Sequence, residues 1–181
     1  SGGINWDIKH TGAGQNIVFS TTPSGGSATE RVRLNGDGNL GVGVVPESWN
    51  SNNTAVQVGA AACIFGSTNT SFGAVASNAF FDSTDSRYEY SNTDFATLYQ
   101  QLDGVHSFSS AASGSANAAI TFTELFRAST SEVAINEDSN DIDFRVESNG
   151  NAYMLFVDGG NDRVSIGSTG YTTDTDLNLL G

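Results

Sequence analysis

The chain has 181 residues, with 20 Asp and Glu against seven Lys and Arg, for a formal net charge of −13. So acidic a chain cannot neutralise a phosphate backbone, which excludes nucleic-acid binding. No apolar run reaches the ~18 residues of a membrane helix, which excludes membrane insertion by one, and the single cysteine, Cys63, excludes an internal disulfide framework.

Ser, Thr, Asn and Gly make up more than two fifths of the chain, so a conventional single core is expected to be thin. The first residue is Ser1 and no signal-peptide pattern follows, so the sequence reads as a fragment or a processed product. From there, short alternating runs replace helical periodicity. Asn16 to Ser20, Arg31 to Leu34 and Asn39 to Val42 come first. Ala118 to Phe122, Glu132 to Ile135, Ile142 to Val146, Met154 to Val157 and Arg163 to Ile166 follow. Asn-Gly or Asp-Gly stands at 35–36, 37–38, 103–104, 149–150 and 158–159, and these dipeptides adopt the positive φ of tight hairpin turns cheaply. The expectation is an all-β chain with little or no helix.

Between the early and late runs, residues 94–102 read two ways. Phe95, Leu98, Tyr99 and Leu102 form a helical stripe with Asp94 as an N-cap. Equally, Asp103-Gly104 sits where a hairpin would turn between Ala96–Leu102 and Val105–Ser109.

A β-turn-β unit recurs. Val32 to Gly43 is one copy, Phe156 to Gly167 a second, and Phe126 to Ile135 a degenerate third; the irregular spacing excludes a fixed-period solenoid. Each unit has too few inward side chains to be stable alone. The missing partner surface is expected from self-association, most simply in a closed symmetric oligomer.

The string Ala28-Thr29-Glu30-Arg31-Val32-Arg33-Leu34-Asn35-Gly36-Asp37-Gly38-Asn39-Leu40-Gly41-Val42-Gly43 resembles a unit of bacteriophage tail fibres and related virion appendages, and Asn16 to Thr21 fits the run that leads into it. The centre is similar to a tail-fibre module. It opens at Val44-Val45-Pro46-Glu47-Ser48-Trp49, passes through Asn78 to Asp82, Tyr99-Gln100-Gln101 and Gly104 to Phe108, and closes on Ala118 to Thr123. Asn136 to Ser148 resembles a further unit of phage and marine viral fibre proteins. The resemblance spans roughly residues 10 to 180. It implies an elongated, homotrimeric virion fibre involved in attachment to a bacterial host through a surface glycan or protein receptor, located in the virion and contacting other virion proteins. Such fibres commonly end in an autocleaving chaperone, and the chain stops near where one often begins.

The expected organisation is a shaft-like β segment over residues 1–45, a globular β module over 46–125, and a second β-repeat segment over 126–181. Identical copies would give adhesion by multivalency. Two other classes fit less well: an adhesin or filament subunit of a bacterial surface, and a glycan-cleaving tailspike fragment.

No catalytic residue, metal or cofactor is expected. Glu137, Asp138, Asp141 and Asp143 have hard oxygen ligands but not the spacing of a calcium loop, and read as a solvated acidic turn. Glycoside hydrolysis needs two carboxylates at a set separation, whereas most acids here, such as Asp37, Asp103, Asp158 and Asp162, fall in Asx turns. His10 and His106 are the only histidines, and His106 reads as a packed or interface imidazole. Cys63 lies in a small apolar run and reads as a buried thiol. Aromatics concentrate at Phe80, Phe81, Tyr88, Tyr90, Phe95 and Tyr99. Core filling accounts for them, but Tyr88, Tyr90 and Tyr99 are also the candidate receptor contacts, because aromatic faces suit sugar rings and protein anchors. Trp49 is expected to pack where the chain enters the central module.

Overall fold

A computed structural model of the chain describes residues 15–167. Every regular element among them is a strand, and no helix occurs among the described residues. In chain order the strands are β1 (Ile17–Thr21), β2 (Thr29–Leu34), β3 (Leu40–Val42), β4 (Asn53–Val58), β5 (Ala62–Ser67), β6 (Phe72–Ser77), β7 (Phe80–Phe81) and β8 (Tyr88–Glu89). They continue with β9 (Asp94–Leu102), β10 (Val105–Gly114), β11 (Thr123–Ala128), β12 (Val133–Ile135), β13 (Phe144–Val146), β14 (Leu155–Asp158) and β15 (Arg163–Ile166).

Ten strands form one sheet in the order β1-β2-β3-β4-β5-β6-β9-β10-β11-β12, and β7 and β8 form a small hairpin inserted between β6 and β9. The pairings are antiparallel except β3 with β4, which run parallel. The stretch 94–102 is strand. Asp103 (φ 50°) and Gly104 (φ 82°) form the tight turn that sets Leu102 opposite Val105 and Tyr99 opposite Phe108. Its helical stripe arose because a strand with apolar residues on both faces also matches a 3.6-residue period. The Asn35–Gly38 turn of the first repeat closes as its residues suggest: Asn35 Oδ1 accepts from the Asp37 N–H at 3.1 Å and from the Asn39 N–H at 2.8 Å.

The core lies on one face of the sheet, called the inner face here. Ala55, Cys63, Phe65, Ala74, Ala76, Ala96, Leu98 and Ala111 are buried there under a cap that includes Trp49, Ala79, Phe80 and Tyr90. Trp49 fills the expected place, with its ring 4.8 Å from Phe65 and 6.2 Å from Phe80. The cap is stitched by backbone bonds: Asn50 N donates to Phe81 O at 2.8 Å, Ser83 N to Ser48 O at 2.9 Å, and Ile120 N to Tyr88 O at 2.8 Å. Residues 118–122, expected as a strand, make only an isolated bridge between Ala119 and Glu89. Their apolar side chains Ala118, Ile120 and Phe122 pack against the core instead. Alternating residues that lie over a core need no ladder of their own.

Small inner-face residues let the cap sit close to the sheet, and two buried amides complete its backbone pairing. Asn39 Oδ1 accepts from Ala55 N at 2.9 Å, and Gln57 Oε1 from Glu47 N at 2.9 Å. Gly114 lies directly under the Tyr90 ring, where any Cβ would collide with it.

The chain divides into two compact units, residues 1–133 and 134–181. The boundaries expected at residues 45 and 125 both fall inside the first unit: β3 pairs with β4 across the first, and β11, paired with β10, spans the second. In the second unit β13, β14 and β15 form an antiparallel sheet, with β14 central. The β14–β15 turn is held by Asp158, whose Oδ1 accepts from Asn161 N at 2.9 Å.

Candidate functional site

The three tyrosines expected to meet a receptor do not share one surface. Tyr90 is 5% exposed, and its hydroxyl donates to Ala112 O at 2.5 Å. Its ring serves the core and presents no face to a ligand, which corrects its expected role. Tyr88 is half-buried in an edge-to-face aromatic cluster, 5.1 Å from Phe81 and 5.5 Å from Phe122. Burial, followed by the proximity of Cys63, pushes its hydroxyl up to about 12. Tyr99 lies on the opposite face of the sheet, stacked on Phe108 at 4.6 Å, with its hydroxyl 2.7 Å from His106 Nδ1. Phe95 is 66% exposed, whereas Phe80 is buried.

Tyr88, Phe81 and Phe72 line a cleft of about 330 Å³ whose rim includes Asn50, Asn52, Asn53 and Asn69. An aromatic floor under an amide rim offers stacking together with both donors and acceptors, the chemistry that neutral sugars match. The sequence placed Tyr88 correctly among aromatics. The Asn rim was illegible because its members come together only when the β4 and β5 ends meet.

The outer face of the large sheet, opposite the core, has a different character. Register carries one continuous row across nine strands. Ile17 opposes Leu34, and Leu34 opposes Leu40. The row continues through Val56, Ile64 and Val75, and ends through Tyr99, Phe108 and Phe126. Every member is apolar or aromatic. A neighbouring row runs from Phe19 through Val32, Val42, Val58 and Ala62 to Ser77, Thr97, Ser110 and Thr123. On the other flank lie Thr54, Gly66, Gly73, Gln101, His106 and Ala128. None of these positions holds Asp, Glu, Lys or Arg. Ile64 is 61% exposed, Val75 48% and Phe108 47%, so none of the described residues covers these positions.

Acidic groups are placed elsewhere. Among the described residues, Asp82, Asp85 and Glu89 are the one group of three or more potential metal ligands whose atoms converge within 4.8 Å. Arg87 already pairs with two of the three carboxylates, 2.8 Å from both Asp85 and Glu89. Asp82 Oδ2 accepts from Asp85 N at 2.8 Å and from Thr84 N at 2.6 Å. Those N–H groups, that of Asp85 foremost, hold its carboxyl below the usual range. The arrangement is a loop clamp. In the acidic turn, Asn136 bridges to Asn140 O and N, and Asp143 Oδ1 accepts from Gly159 N at 3.1 Å. Cys63 is buried, 3.2 Å from Ala79 O, and burial pushes its thiol up to about 12. His106 is exposed, and His10 lies outside the described residues. No protein-family model, curated protein or solved structure matches this chain.

Proposed function

We propose that the chain is a non-enzymatic structural subunit of a bacteriophage tail fibre or similar virion appendage, assembled as an elongated homotrimer and contributing to host-cell attachment. The observation that carries this reading is the distribution of the core. The buried apolar side chains all lie between Pro46 and Ala111. The described flanking strands have none, and in the second unit Val146, Met154, Val164 and Ile166 are exposed. A three-stranded sheet without a buried apolar side chain is marginal in water. Its missing surface comes from other copies of the chain, which suits a subunit whose function is mechanical. The fibre-like strings of the sequence support the virion assignment, and the amide-rimmed cleft at Tyr88 supports attachment through a neutral surface saccharide.

The test has two parts. Sedimentation of the purified chain at low micromolar concentration should give three chain masses with a high frictional ratio; a compact monomer overturns the assembly reading. Fluorescently labelled protein should bind intact cells of a susceptible bacterium and be displaced by their extracted surface polysaccharide. Trimers that bind no cells would limit the chain to a purely structural role.

A further inference from the structure

We propose that the outer face of the large sheet is the surface through which copies of this chain pack on one another, so that its occupant is a second copy of the chain. This deepens the assembly reading above and rests on it.

The first argument is extent. A row of nine apolar or aromatic side chains runs from Ile17 to Phe126, and within it Leu34, Val56, Ile64, Val75 and Phe108 are exposed. Two residue rows across nine strands and a third across six, with strands about 4.8 Å apart, give a face of roughly 800 Å², the area each partner contributes to a stable interface. At its centre is a continuous apolar row, flanked by small and uncharged polar residues, and contiguous exposed apolar surface of this kind marks interaction sites.

Charge identifies the occupant. Any approach of two copies of a −13 chain that brings acidic surfaces together is opposed by repulsion. The outer face carries no Asp, Glu, Lys or Arg across its three rows, so two copies meeting there bury no carboxylate. A basic partner would find no acid to pair with on this face, and a hydrophilic one would leave its polar groups without partners. An identical face meets both conditions, presenting apolar side chains to apolar side chains. Gly73 lines a shallow hollow of about 400 Å³ beside Ile64, Val75 and Tyr99, where side chains of a facing copy can seat.

The experiment uses the full chain with Ile64→Glu or Val75→Glu, read by sedimentation velocity and far-ultraviolet circular dichroism. Both side chains project into solvent in the single chain, so the β spectrum should be retained. Each variant should raise the concentration needed for half-assembly by about a hundred-fold or more, because assembly would bury an unpaired carboxylate. Ser51→Glu, on an exposed loop away from the face, should leave assembly unchanged. As a second readout, Val75→Cys should react with a thiol reagent slowly in the assembly and quickly after dilution, while buried Cys63 stays silent. This labelling decides the matter should the Glu variants lose their β spectrum. An oligomer that tolerates both Glu variants, with Val75→Cys labelled at the monomer rate, overturns this inference and leaves the structural reading intact. A dimer dispersed by the same variants upholds the face and overturns the threefold assembly. A monomeric wild-type chain overturns both.

Discussion

The two faces of the large sheet invert the usual ranking of side-chain size. The inner face, which is buried, is built largely from Ala55, Cys63, Ala74, Ala76 and Ala96, with Phe65 and Leu98 the large exceptions. The outer face, which is uncovered, carries Val56, Val58, Ile64, Val75, Tyr99 and Phe108. By residue type the central row of the outer face is more hydrophobic than the buried face. Apolar character alone therefore does not say where a core lies; what says it is the supply of covering side chains. Here Trp49, Phe80, Tyr88 and Tyr90 bring the bulk from the cap, and small sheet residues make room for it.

The largest expected effect that tests this contrast comes from truncating the inner face. Phe65→Ala removes the ring that meets Trp49, Phe72 and Tyr88, and should cost about 3–5 kcal/mol in urea unfolding. Its neighbour in sequence, Ile64→Ala, points the other way and should cost less than about 1 kcal/mol when measured on dissociated chains. Equal costs would erase the distinction between the faces. Next comes the fit beneath the cap. Gly114→Ala places a methyl group into the Tyr90 ring and should destabilise by about 1–3 kcal/mol, with recovery in the double variant Gly114→Ala, Tyr90→Ala relative to the sum of the singles. Asn39→Ala leaves the buried Ala55 N–H without its acceptor and should cost about 1–3 kcal/mol, again by urea unfolding.

The smallest effect is a pH dependence at the edge of the inner face. Burial raises the Glu47 carboxyl above its ordinary value, so the fold favours its protonated form. Its contribution is present below the unfolded carboxylate range and is lost as pH rises through the folded value. Glu47→Gln should therefore raise the thermal midpoint slightly near neutral pH and leave it unchanged near about pH 3. Asp82 runs the opposite way. Its lowered carboxyl contributes stability above the ordinary range that is lost as pH falls through the folded value.

The turns and hairpins were legible because Asn-Gly and Asp-Gly carry their own backbone preference: Asn35 to Gly38 and Asp103-Gly104 turn where their residues say. Strands β4 to β6 were harder to read. Ala, Cys and Gly on the buried side blur the contrast between faces on which pattern reading depends. The outer row was harder still, since each strand contributes one member and only register aligns Leu40 with Val56 and Val75 with Tyr99. The candidate receptor tyrosines do not come together on one surface for a related reason. Nearness in sequence grouped Tyr88, Tyr90 and Tyr99, but the pleat of β9 sends Tyr99 to the other side of the sheet.

The burial of Cys63 has a consequence for durability. An assembly of identical chains multiplies every exposed thiol, and in aerated medium such thiols become random covalent links between particles. A thiol pushed up to about 12 and enclosed beneath the cap yields almost no thiolate near neutral pH. Ageing in oxygen should therefore leave these chains free of disulfide cross-links for as long as the cap stays closed.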